Sequence, residues 1–180
     1  MKKLTFALLC SLVAAVAFAD EKPLACSMRV DALKSDSKMT KDEKGGGTAI
    51  TRNAKYQAKL TFTNGKPEKA VLKVYFLGVS NGESEIEELQ SESYPVEVDE
   101  KGRAVVEIAS RSFTQKKTKS RGNGRGKGGD KTVTGSRITG CVVQLYVGEK
   151  LMKGWASDGR WSKLASKGEF KVENLQPAKK

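Results

Sequence analysis

A chain of 180 residues without one histidine has no imidazole for nucleophile activation, for acid–base catalysis or for the commonest zinc site. Its 33 Lys and Arg against 21 Asp and Glu give a formal charge of +12, which favours anionic partners over acidic self-association. Three cysteines and no phosphate-loop or dinucleotide motif leave no cofactor, metal or catalytic residue to name.

The first nineteen residues read MKKLTFALLCSLVAAVAFA. Lys2 and Lys3 precede an apolar run from Leu4 to Val16, and Ala17-Phe18-Ala19 supplies small residues on either side of a bulky one. This is the pattern of a cleaved secretory signal, too short for a spanning helix, with Asp20 as the first mature residue. Export to the periplasm or the extracellular space is therefore expected, with no transmembrane segment after cleavage. Residues 20–180 have the length of a single domain able to bury about 70% of its unfolded surface.

Strand signals then follow in chain order. In 24–32, Leu24, Cys26, Met28, Val30 and Ala32 share one face, and in 55–64 Tyr56, Ala58, Leu60 and Phe62 do the same. Such period-two alternation marks strands with one buried face. Between them, 34–53 is polar and interrupted by Gly, which predicts a long connection. AVLKVYFLGVS (70–80) is apolar on both faces and reads as a central strand. Residues 81–93 are acidic, with Glu83, Glu85, Glu87, Glu88 and Glu92, and a short helical turn is expected over Glu85 to Leu89. YPVEV (94–98) and RAVVEIA (103–109) alternate again, joined by Asp99-Glu100-Lys101-Gly102 as a hairpin connection.

The next segment, KKTKSRGNGRGKGGDK (116–131), holds seven Lys and Arg, five Gly and no apolar side chain. A disordered basic, Gly-rich loop is expected over 114–136. Part of it, SRGNGRGKGG, resembles the Arg-Gly segments of RNA-binding tails in composition. An exported chain whose loop has no Tyr or Phe for base stacking makes nucleic acid the weaker reading. Lys and Arg also keep a connection soluble with no ligand at all. The candidate anion contacts are Lys116, Lys117, Lys119, Arg121, Arg125, Lys127 and Lys131.

RITGCVVQLYV (137–147) and KLMKGWA (150–156) form a hairpin around Gly148-Glu149, and EFKVENL (169–175) ends the series. A two-residue turn pairs Val147 with Lys150, Leu145 with Met152 and Val143 with Gly154. Trp155 then joins Val142, Tyr146 and Leu151 on the opposite face. Tyr146, Trp155 and Trp161 are the candidate aromatic patch, open to a sugar or a partner unless 157–168 folds back over it with Trp161 and Leu164.

Seven or eight short strands with no sustained helical period predict an all-β antiparallel sandwich, similar in architecture to immunoglobulin or fibronectin modules. Cys26 and Cys141 both fall on core faces, and in an oxidising compartment a disulfide between them is expected. The function these features suggest is an exported non-catalytic binding or structural module touching an anionic surface or an acidic partner. The alternatives are a glycan or nucleic-acid binder acting through 116–131 and a hydrolase built on two carboxylates.

Overall fold

A computed structural model of the chain describes residues 22–33, 36–41, 47–119, 131–168 and 170–175. The strands are β1 (Ala25–Leu33), β2 (Ser37–Lys41), β3 (Thr48–Thr63), β4 (Ala70–Ser80), β5 (Glu87–Pro95), β6 (Arg103–Lys119), β7 (Lys131–Val147) and β8 (Lys150–Ala156). A helix, α1 (Gly159–Lys167), and a 3-10 turn at Val172–Leu175 follow. Every ladder is antiparallel, in the order β1-β3-β6-β7-β4-β5, with β2 on β3 and β8 on β7.

One strand belongs to both halves of this arrangement. Residues Lys131 to Gly135 of β7 pair with β6, whereas Ser136 to Val147 pair with β4. Gly135 makes the change of partner possible. Its φ is 79°, and a β-carbon there would lie 2.3 Å from the Thr114 carbonyl oxygen. Only glycine allows that backbone conformation together with such a close approach. The halves then face each other with Leu60 and Ile108 on one inner face and Leu72, Val74, Phe76 and Leu145 on the other. Phe76 meets Phe113 at 5.9 Å, and Tyr56 meets Trp155 edge-on at 6.2 Å. The fold is thus all-β, antiparallel and sandwich-like, as the alternation predicts.

Several boundaries differ from expectation. Residues 34–53 are not one connection, because β2 pairs with the start of β3. β2 is exposed along its whole length, Met39 at 62%, so burial leaves no pattern in its sequence. The acidic segment enters strand β5 at Glu87 instead of making a helical turn. The Asp99–Gly102 turn forms, with Asp99 Oδ1 accepting from the amides of Lys101 and Arg103, both at 2.8 Å. It does not close a hairpin, however, since β5 pairs with β4 and β6 with β3 and β7. Of the strand expected over 169–175, the described residues 170–175 form none, and Val172–Leu175 make the 3-10 turn instead. The basic segment is strand as far as Lys119 and again from Lys131, so the flanks of the loop expected over 114–136, with Thr114, Thr118, Thr132 and Val133, are strand, and 120–130 lies outside the described residues.

A second apolar cluster lies on the outer face of β7 and β8. There α1 packs Trp161 and Ala165 on Val142, Leu77, Ala156 and Leu175. Asp158 caps the helix by accepting from the Arg160 amide at 2.9 Å, and Gly168 ends it in the left-handed region at φ 72°. The Trp161, Leu164, Ala165 spacing is that of one helical face.

Candidate functional site

Where β7 parts from β6, the sandwich opens. β3 continues past this opening, and its inward phase runs Phe62, Leu60, Ala58, Tyr56, Ala54 and then Arg52. A guanidinium thus occupies an inward position at the one end where the two halves no longer cover it. Arg52 pairs with Ser37 on one side and Phe113 on the other. A small groove of about 60 Å³ forms there, bounded by Arg52, Lys117 and Arg137 with Ile50, Phe113 and Gln115.

A bulge puts Phe113 and Gln115 in this groove. On β6, Ile108 faces Tyr56 but Arg111 faces Ala54, so β6 carries one extra residue. Burial accordingly switches from Ala104, Val106 and Ile108 to Phe113 and Gln115. The Ala109 amide, within that bulge, donates to the Tyr94 hydroxyl at 3.1 Å. Tyr94 and Arg111 also engage Glu92, which ties β5 to β6 across the two halves.

The ion pairs among the described residues use Arg29, Lys55, Lys59, Arg111 and Arg160. None uses Arg52, Lys117 or Arg137. Lys116, Lys117 and Lys131 are exposed on the β6–β7 ribbon, where Lys119 and Lys131 are register partners. Arg121, Arg125 and Lys127 lie outside the described residues. The acidic 83–88 segment adjoins the root of the ribbon, since the Asn81 amide donates to the Gly135 carbonyl at 2.9 Å.

A larger cleft, about 430 Å³, lies beside the groove. Arg52 lines both. Asp36 and Asn53 stand at one side of it, Thr139 and Ser157 at the other, and Tyr56 also contributes. The second wall is fixed by a reciprocal pair: Ser157 Oγ accepts from the Cys141 amide and the Ser157 amide donates to the Cys141 carbonyl, both at 2.9 Å. A hydrolase would need two carboxylates in one cleft. Among the described residues Asp36 is the single carboxylate lining this one, and Glu92 the single one in a smaller cleft by Lys73 and Tyr75.

The expected aromatic patch does not assemble. On β8 the register runs Val147 with Lys150 and Tyr146 with Leu151, but then Leu145 with Lys153 and Val143 with Trp155. Met152 is a bulge, and the extra residue turns Trp155 to the inner face, against Tyr56. Trp161 is buried on the sheet-facing side of α1 at 4% exposure. Tyr146 stays half-buried outside, with the Lys73 ammonium 4.7 Å above its ring. The 157–168 segment does fold back, and it covers Val142 and Ala156 rather than Trp155.

Nor is the expected disulfide made. Cys26 and Cys141 are buried free thiols in the same core. Cys26 is level with Phe62 on β3, whereas Cys141 lies against Tyr56, six residues away along that strand. At about 3.3 Å per residue this is roughly 20 Å of strand, far beyond the span of a disulfide. Burial raises the Cys26 thiol and pushes the Cys141 thiol up to about 12. Tyr56 is raised as well, first by burial and then by Cys141.

Among the described residues no group of three His, Cys, Asp or Glu could hold a metal ion. No described helix is long and apolar enough to cross a membrane. No protein-family model matches the chain, and no curated protein matches it. Among solved structures it is similar to a crystal structure from Akkermansia muciniphila, 14% identical over 77% of this chain and 75% of that one, with a TM-score of 0.25.

Proposed function

We propose that this chain is an exported, non-catalytic β-sandwich module that holds an anionic surface or an acidic partner at the open end of its sandwich. The observation that carries this is the convergence of Arg52, Lys117 and Arg137 on one groove, with no carboxylate pairing any of them among the described residues. Lys116 and Lys131 extend the same positive field along the ribbon. Cations gathered without counter-charges repel one another, and a polyanion relieves that repulsion while releasing its own counterions. Export rests on residues 1–19, which lie outside the described residues.

Retention on immobilised heparin across a salt series tests the contact. The triple variant Arg52→Gln, Lys117→Gln, Arg137→Gln should elute at clearly lower salt than the unaltered chain. A control with the same loss of charge, Lys22→Gln, Lys66→Gln, Lys150→Gln, should elute close to it. Equal shifts in both would mean that net charge alone is read, and the proposed site would be wrong. Export is tested by fractionating cells and sequencing the N-terminus, which should begin at Asp20.

A further inference from the structure

The 430 Å³ cleft falls within the roughly 300–1,000 Å³ of small-molecule sites. Its hydrogen-bonding capacity is partly spent and partly left over. Ser37 is the cross-strand partner of Arg52, which puts its hydroxyl on the Arg52 face of the β2–β3 pair. Ser157 Oγ accepts from the Cys141 amide, so its own proton remains. Thr139 Oγ1 donates to the Leu77 carbonyl at 3.1 Å, so its lone pairs remain. The Arg52 guanidinium and the Asp36 carboxylate enter no ion pair among the described residues, with each other or with any other group.

That inventory is one cation, one anion and three hydroxyl groups of mixed sense. An apolar ligand would strip water from these groups without replacing the hydrogen bonds. A phosphate dianion would meet Asp36 as well as Arg52. A neutral polyol would leave the planar Arg52 fork without the carboxylate it matches. We propose that the cleft binds a hydroxylated monocarboxylate of sugar size, its carboxylate on Arg52 and its hydroxyls on Asp36, Ser37, Thr139 and Ser157. The site shares Arg52 with the polyanion contact and is otherwise separate from it, because Asp36, Ser37, Thr139 and Ser157 do not line the groove.

Titration calorimetry with D-glucuronate, D-glucose and inorganic phosphate as probes tests it. Glucuronate should bind in the millimolar range, and glucose about tenfold more weakly or worse. Arg52→Gln and Asp36→Asn should each weaken glucuronate about tenfold, as expected for loss of one charge-assisted hydrogen bond. Lys117→Gln, which alters the groove alone, should leave it unchanged. Both cleft residues are exposed, so thermal unfolding of the variants should match the unaltered chain. The proposal is overturned if glucuronate fails to bind, if phosphate or glucose binds as tightly, or if Asp36→Asn has no effect. Asp36→Asn leaves every groove cation in place and should not lower the salt at which the chain leaves heparin, so failure here and failure of the polyanion contact are distinguishable.

Discussion

Gln144 on β7 donates from Nε2 to the Ala165 carbonyl, 3.0 Å away, and its Oε1 accepts from the Tyr146 hydroxyl at 3.1 Å. At 1% exposure, this side chain pins the last turn of α1 to the outer face of the sheet. Gln144→Leu leaves the Ala165 carbonyl without its partner in a buried site, and should cost about 1–3 kcal/mol. Urea unfolding followed by far-UV circular dichroism measures it, and an unchanged midpoint would mean that water serves Ala165 equally well.

The same helix constrains Gly154. A β-carbon there would lie 2.0 Å from the Ala165 carbonyl oxygen, so α1 sits on bare β8 backbone. Gly154→Ala should destabilise the protein by about 1–3 kcal/mol through overpacking. Gly159→Ala is the control, because nothing lies within 4 Å of its added methyl, and it should be neutral or stabilise slightly. Two equal effects would show that the helix does not rest where the structure puts it.

The two tryptophans should separate in stability assays. Trp161→Ala empties a buried position between Ala165 and Val142 and should cost about 3–5 kcal/mol. Trp155 is only half-buried, so Trp155→Ala should cost less. Neither variant should change heparin elution once folded, since neither residue lines the basic groove. A weaker column interaction for Trp155→Ala with unchanged stability would restore it as a contact residue.

Both thiols should be free but slow to react. Iodoacetamide at pH 8 should leave Cys141 unmodified in the folded protein and label it after unfolding, because burial keeps the thiol protonated. Non-reducing mass spectrometry of the folded protein should show Cys26 and Cys141 free. The folded-state value lies above the unfolded one, so the folded state binds more protons across that interval. Stability is therefore full below about pH 9 and falls as pH rises toward about 12. Cys141→Ala should soften that alkaline loss; an identical alkaline profile would place the sensitivity elsewhere, Tyr56 first.

Much of the core was legible locally. The alternation in β1, β3 and the first half of β6 is a property of neighbouring residues, because one buried face imposes period two wherever a strand forms. It identified Leu60, Phe62, Cys26 and Cys141 as inward-facing. It also contained the signal for Arg52, a charge in the same phase as Tyr56 and Ala54. β2 was not legible, because a wholly exposed strand owes its form to the ladder with β3 and keeps no apolar face.

What the amino-acid sequence determined alone was therefore the strand-rich architecture, the phase of most inward residues and the excess of positive charge. The tertiary structure decided the rest, because each remaining feature depends on distant partners. The extra residues on β6 and at Met152 are set by how paired strands meet, and each one reverses every side chain beyond it, which is how Trp155 came to face Tyr56. Two cysteines of like phase were separated by their positions along β3, a coordinate that alternation does not contain. The open end beside Arg52 exists because Gly135 lets β7 leave β6 for β4, a choice of partner made between segments some fifty residues apart.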